Sequence, residues 1–400
     1  MRRLLRDRNF RLLATGQLLN QLGDHAMFLA LAIWVKELTG SNSAAGLVFL
    51  LFSAPALAAP LLGVYVDRLP RRRVLIATDL ASAGVVLSLL FVHDAGDVWL
   101  LYVVSFLYGL SGQLYFAARS GLLVSMLPEE QLADANGLLA SIGQGVQLGG
   151  PIAGAALFAL AGGGVVAVLD ATTFVASVVL LLPMRVRDLE VPAERSGFVN
   201  ELVAGVRHAW RTADLRRLIL VTAGVLGIVG LVQGSIFALV DEGLHRRPAF
   251  LGVIVTVQGI GSIAGGLSAG ALIRRIGELR LAGAGLLAIG FGLGLYSIAT
   301  LPTVLPGSAV VGAGVAVFLV AYNTLIQRMT APEMQGRVFA AGEAATSLPF
   351  TLSIGIGAAL VSVVSFRLMF GLCAAGTALV SLMLFGGTRV PAIVQDENAI

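Results

Sequence analysis

Apolar residues run along this chain in blocks of about twenty, parted by short segments that hold nearly all of its charges. A helix rises about 1.5 Å per residue, so about 20 apolar residues are needed to cross the hydrocarbon core of a bilayer. Twelve such stretches can be read: 10–35, 43–66, 74–92, 98–121, 136–160, 165–183, 217–240, 249–273, 281–299, 303–327, 338–362 and 366–386. Only helices and closed barrels satisfy the backbone within lipid, and these blocks are too long and too continuously apolar for barrel strands. The pattern predicts an all-α polytopic membrane protein with twelve transmembrane helices in two pseudo-symmetric six-helix bundles. The longest polar connection follows the sixth block. It divides the chain into an N-terminal bundle (1–184), a central loop (185–216) and a C-terminal bundle with a short tail (217–400). In that loop Phe198, Leu202, Val206, Ala209 and Trp210 recur at helical spacing, with Glu201, Arg207, His208 and Arg211 on other faces. They predict a short amphipathic helix, either on the membrane surface or against the neighbouring loops.

Composition agrees. Hydrophobic residues make up 57% of the 400 residues and charged residues 12%, against roughly 45–50% and about 25% in soluble proteins. Mean hydropathy is +0.89. The single cysteine, Cys373, permits no disulfide within the chain and no cysteine metal site. The sequence holds no HExxH, no C-x-x-C and no G-x-x-x-x-G-K. No metal site, cofactor or catalytic group is expected, and no enzyme activity.

A net charge of +4 would suggest nucleic acid until the basic residues are placed. With the N-terminus in the cytoplasm, twenty-two of the 27 fall on the cytoplasmic side, leaving only Lys36, Arg246, Arg247 and Arg367 outside and Arg119 within a span. By the positive-inside rule both termini are cytoplasmic, and no nucleic-acid partner is needed to explain the charge. Arg2, Arg3, Arg6, Arg8 and Arg11 precede the first block and no small-residue cleavage site follows it, so that block reads as a retained span. Lys36 is the only lysine.

The two halves echo one another. Gly63-Val-Tyr-Val-Asp67-Arg68-Leu-Pro70-Arg71-Arg72-Arg73 closes the second block, and Gly270-Ala-Leu-Ile-Arg274-Arg275-Ile-Gly277-Glu278-Leu-Arg280 closes the eighth, 207 residues later. Leu127-Pro128-Glu129-Glu130-Gln131 is matched by Ala331-Pro332-Glu333-Met334-Gln335. Parallel six-span repeats are an architecture of secondary transporters.

The G-x-x-x-D-R-x-x-R-R loop resembles the signature of the major facilitator superfamily. Leu22-Gly23-Asp24, the run from Leu127 to Gly137, and Met334-Gln-Gly-Arg337-Val-Phe are similar to the drug:proton antiporter branch that holds macrolide-efflux and enterobactin-exporter proteins. Gly150, Pro151 and Gly154 keep the G-P core of the exporters' span-five motif, with Val146 and Ala155 where that motif has glycine. The resemblance implies alternating access about a central cavity lined by spans one, four, seven and ten. It also implies a cytoplasmic gate built from the signature loop.

Ionisable groups within spans are costly, which makes them functional candidates. Asp24 lies about 21 Å along its helix, near the midplane. A carboxyl taken out of water resists ionisation, so Asp24 is the first candidate for proton coupling. Asp170, about five residues from the outer end of span six, is the second, and its position suggests hydration. Gly63, Asp67, Arg68, Arg71 and Arg72 form the expected gate, joined by Asp79, Arg119 and Glu343. For the substrate, the resemblance points to Asn20, Asp24, Phe28, Gln113, Tyr115, Gln233, Phe237, Phe318 and Tyr322.

These features predict a proton-coupled exporter of small amphiphilic drugs or metabolites, working as a monomer in the cytoplasmic membrane with protons and lipid as its other partners. Two alternatives remain. One is a proton symporter, or an exporter specific for one nutrient or secreted metabolite such as a siderophore. The other is a non-transporting membrane partner or a lipid-moving protein.

Overall fold

The computed structural model describes residues 4–66, 69–184, 186, 206–208, 210–330 and 332–385. Among the described residues there are helices and no strand. The first helix, α1, is Arg8–Thr39; the Asp7 carboxylate caps it by accepting from the Phe10 N–H at 2.7 Å. The second, α2, comes in three pieces: Asn42–Ser53, a tighter 3-10 turn over Ala54–Ala58, and Ala59–Val66. Pro55 opens the tighter turn, since proline removes a backbone donor and crowds the preceding turn. Then follow α3 (Arg71–Leu87) and α4 (Val98–Met126).

A single helical stretch, Glu129–Leu181, hides two spans. Gly162 breaks it with φ 78° and ψ 171°, a left-handed backbone that glycine adopts without steric cost. We label the two arms α5 (129–161) and α6 (163–181). Their packing on α1 shows that the chain reverses there. Along α5, Gly143, Gly150 and Gly154 meet Gln21, His25 and Ala26 in rising order, whereas along α6, Asp170 and Ser177 meet Gly23 and Gly16 in falling order.

The second half supplies α7 (Ala213–Ala238), α8 (Leu251–Ile276), α9 (Glu278–Ile298), α10 (Leu301–Met329), α11 (Pro332–Leu360) and α12 (Phe366–Leu382). Among the described residues, eight helices are long and apolar enough to cross a membrane, and three shorter apolar helices accompany them, Asn42–Ala58, Ala344–Leu360 and Phe366–Leu382. Leu160, Leu267, Val363 and Leu379 are each at least 70% exposed. Outward apolar surface of that kind suits lipid, not water. The chain is a multi-pass membrane protein, and α1 to α12 are the long helices among its described residues. Of the expected loop helix, 206–208 and 210–211 are helical, with Val206 and Trp210 exposed; the rest lies outside the described residues.

The chain divides into two compact units. Unit 1 is Met1–Ala193 with Ile236–Thr256 and Ala358–Ser362. Its core runs from Leu4, Phe10 and Leu13 through Leu75 and Leu122 to Leu139 and Leu181, with α1 held between α5 and α6. Lys36, 4% exposed, donates to Asp241 Oδ2 at 2.6 Å and to the Gly40 carbonyl at 2.7 Å. Unit 2 is Glu194–Ser235 with Val257–Gly357 and Val363–Ile400. There α9 packs between α10 and α12.

Candidate functional site

Polar side chains at helical spacing mark three helices of unit 1. On α1 they are Gln17, Asn20, Gln21 and Asp24; on α3, Thr78, Asp79 and Ser82; on α4, Tyr108, Ser111, Tyr115 and Arg119. Residues three and four apart share a helix face, so each set forms one stripe. The stripes converge on a cavity with about 670 Å³ of empty space, its open mouth included. Phe52, Phe116 and Phe174 complete its wall. An apolar wall with a few polar groups is how small molecules are bound.

Two hydrogen-bonded centres lie on the wall. Asn20 Nδ2 donates to Asp79 Oδ1 at 2.9 Å, and both residues are buried. The Tyr108 hydroxyl lies 2.6 Å from Asp24 Oδ1 and 2.8 Å from Asp170 Oδ2. Asp24 is half-buried and lines the cavity, while Asp170 sits behind with no exposed surface. The expected hydration of Asp170 near an outer end is therefore corrected. Its carboxylate occupies space left by Gly23, where an added Cβ would stand 2.1 Å from Asp170 Oδ1. Gln17 Oε1, Asn20 Oδ1 and Gln21 Oε1 are buried without a hydrogen-bond partner in the protein. Buried polar atoms are normally satisfied, so these three are positioned to receive water or a ligand.

The structure distributes the predicted residues unevenly. Asn20, Asp24, Tyr115 and Arg119 line the cavity, and so does Asp79. Asp79 and Arg119 were expected with the signature loop. They reach the cavity because they sit one to three turns inside α3 and α4, on the faces that carry Ser82 and Tyr115. The guanidinium of Arg119 lies 4.9 Å from the centre of the Phe116 ring. Phe28 instead packs on Phe49 and Phe52, with ring centres 5.1 and 4.7 Å apart. Phe237 is buried and stacks on Phe49 at 6.1 Å. Gln113 is half-buried on α4, outside the cavity wall. Gln233 belongs to unit 2, as do Phe318 and Tyr322, whose rings are 5.7 Å apart. His25 Nδ1 contacts the Gln21 carbonyl at 2.9 Å, as expected of a satisfied histidine.

Of the gate residues, Asp67 and Arg68 lie outside the described residues, as does the side chain of Glu343. Gly63 is half-buried in the last piece of α2. Arg72 donates to the carbonyls of Leu181 and Leu182, where a cation complements the negative end of α6. Arg71 is buried over Gly121 of α4. In the span-five motif, Gly150 and Gly154 meet His25 and Ala26 of α1, so both serve close helix packing; the Pro151 side chain is outside the described residues.

Sequence reasoning missed Tyr108, Thr78, Ser82 and the pairing of Asp24 with Asp170. A tyrosine in an apolar span reads as packing surface. The signal lay in the period: Tyr108, Ser111, Tyr115 and Arg119 recur every three or four residues.

Comparison with known proteins gives a consistent picture. The profile of the Major Facilitator Superfamily matches residues 13–245 and 219–399. The MFS-type transporter YfiS of Bacillus subtilis (strain 168) is 24% identical over 94% of this chain and 93% of its own. Macrolide efflux protein A of Streptococcus pyogenes is 24% identical over 86% and 87%. The multidrug efflux pump Tap of Mycobacterium tuberculosis (strain ATCC 25618 / H37Rv) is 26% identical over 82% and 81%. Among solved structures, a bacterial homologue of the iron transporter ferroportin in its inward-facing state superposes with a TM-score of 0.68 at 18% identity, covering 94% of this chain and 98% of that one.

Proposed function

The chain belongs to the Major Facilitator Superfamily and is a transporter, and from that premise we propose that it exports small amphiphilic cations in exchange for protons. The observation that carries this reading is the acid content of the cavity. Asp24 and Asp79 line it and Asp170 stands directly behind, against one cation, Arg119. Carboxyl groups placed among phenylalanine rings favour a ligand that is cationic at one point and greasy elsewhere. The same groups bind protons, so cation and proton compete for them. The names of two relatives, a macrolide efflux protein and a multidrug efflux pump, support export.

In this reading both termini face the cytoplasm, as the basic loops suggest, and the protein works as a monomer in the cytoplasmic membrane, surrounded by lipid. Residues 1–184 and 217–400 are the two bundles that alternate access, joined by the loop 185–216. Gly63, Asp67, Arg68, Arg71 and Arg72, with Glu343, form the cytoplasmic gate, and Gln233, Phe318 and Tyr322 are the C-terminal bundle's share of the substrate path.

The test is accumulation of ethidium and of a macrolide in cells carrying the protein, with and without a protonophore. Accumulation is expected to fall below that of control cells, and to recover with the protonophore and with Asp24→Asn at normal protein level. Accumulation equal to that of control cells would overturn the reading.

A further inference from the structure

Tyr108 Oη is within 2.8 Å of two carboxyl oxygens, one on Asp24 and one on Asp170. Both distances are those of an O–H···O hydrogen bond. A phenol has one hydrogen and can donate to only one of them. The second short contact requires a second hydrogen, and the remaining source is a carboxyl O–H donating to the phenol oxygen. Two ionised carboxylates on one hydroxyl would also repel one another.

We infer that Asp24 and Asp170 hold one proton in common across the Tyr108 hydroxyl, so that the coupling unit is the trio and not Asp24 alone. This rests on the reading of the cavity as the coupling site. Burial gives the three groups different parts. Asp24 faces the cavity, Tyr108 is 4% exposed, and Asp170 is fully enclosed. Asp170 therefore meets the cavity only through the phenol.

In the proton-loaded form both carboxyls are protonated and the trio is neutral. A cation entering the cavity replaces one of these protons, which leaves with the water. The other stays. If it is on Asp24, the Asp24 Oδ1–H bond breaks as that proton passes to Tyr108 Oη. The Tyr108 O–H bond breaks in turn as its hydrogen passes to Asp170 Oδ2. Asp24 is then the carboxylate beside the cation, Asp170 the neutral acid, and Tyr108 is restored. One proton and one negative charge are present before and after the shift.

The ionisable groups nearest the trio on the surrounding helices are His25 on α1, Asp79 on α3, and Tyr115 and Arg119 on α4; none of these four hydrogen-bonds to it. The packing keeps the three together. Thr173 Oγ1 is 3.5 Å from Asp170 Oδ1, and Gly23 leaves room for the carboxylate.

The experiment uses purified full-length protein with ethidium as the probe. Ethidium binding is titrated across a pH series in the wild type, Tyr108→Phe and Asp170→Asn. Infrared difference spectra follow the protonated-carboxyl band with and without saturating dye. In the wild type the band is expected to weaken on dye binding but to persist. In Asp170→Asn it disappears when the dye is bound. Both variants lose affinity at least about tenfold, the scale of a hydrogen bond to a charged group, and their affinity follows pH differently from the wild type. Asp170→Asn carries the test if Tyr108→Phe does not fold. Wild-type affinity and pH dependence in Asp170→Asn would overturn the inference. If instead wild-type vesicles show no proton-driven dye movement while these binding and spectral changes appear, the coupling reading fails and the shared proton stands.

Discussion

The crossing of α1 with α5 in unit 1 and the crossing of α7 with α11 in unit 2 are built alike. A Cβ at Gly154 would stand 2.3 Å from the Ala26 carbonyl oxygen, and one at Gly357 would stand 2.3 Å from that of Leu231. The α2–α4 and α8–α10 crossings match as well, with Gly109 against the Phe52 carbonyl and Gly261 against that of Ala309. Small residues at these points let backbones touch, which is how helices associate where lipid removes the hydrophobic drive. The chemistry is not repeated. Where α1 carries Gln17, Asn20, Gln21 and Asp24 on one face, the interior of α7 offers Thr222, Gln233 and Ser235 and no ionisable group. The packing recurs in both units, whereas among the described residues the acids of the cavity, Asp24 and Asp79 with Asp170 behind, belong to unit 1. The helix crossings and the acids of the cavity thus rest on different residues, and substitutions should separate their effects.

The largest effect is expected at the acids. Asp24→Asn should reduce proton-driven efflux by about ten- to a hundredfold, the factor that corresponds to losing a hydrogen bond to a charged group. Thr222→Val in α7, where the hydroxyl only bonds the Leu218 carbonyl of its own helix, should change it by less than about threefold, well under 1 kcal/mol. Efflux rates at matched protein levels compare the two, and equal losses would break the distinction between the units.

Next come the crossings. Gly154→Ala and Gly357→Ala should each destabilise the folded protein by about 1–3 kcal/mol, the usual cost of overpacking. Thermal unfolding in detergent reads this, and a loss at only one site would show that the packing is not shared. Gly84→Ala is the control: an added Cβ there meets nothing within 4 Å, and alanine should gain about 0.5–1 kcal/mol in a helix.

The lone lysine gives a comparable effect inside unit 1. Asp241→Asn leaves the enclosed Lys36 ammonium without its carboxylate, for an expected loss of about 1–3 kcal/mol in the same unfolding assay. The ion pair of Glu278 with Arg328 in unit 2 has a 64% exposed arginine, so Glu278→Gln should cost at most about 1 kcal/mol.

Much of this arrangement was legible in the sequence. The twelve apolar blocks predicted the helices within a few residues, because crossing lipid fixes both their length and their composition. The reversal at Gly162 falls in the gap between the blocks 136–160 and 165–183. The interruption of α2 at Pro55 was harder to place, because local backbone geometry decides it and apolar periodicity does not register it. Asp24, Asp79, Asp170 and Arg119 stood out as charges in an apolar setting. Their grouping did not, since it depends on which face of each helix turns inward. Asp79 and Arg119 were grouped with the gate by their depth near the cytoplasmic ends of their spans, and the structure puts them on the cavity wall. Tyr108 escaped notice because an aromatic in a span is usually packing.

The most direct test of the central claim is dye movement in proteoliposomes with an imposed pH gradient, comparing the wild type with Asp24→Asn. Proton-coupled export predicts that ethidium moves against its own gradient while protons flow the other way, and that both movements fall at least about tenfold in Asp24→Asn. Dye movement indifferent to the pH gradient, or unchanged in that variant, would contradict it.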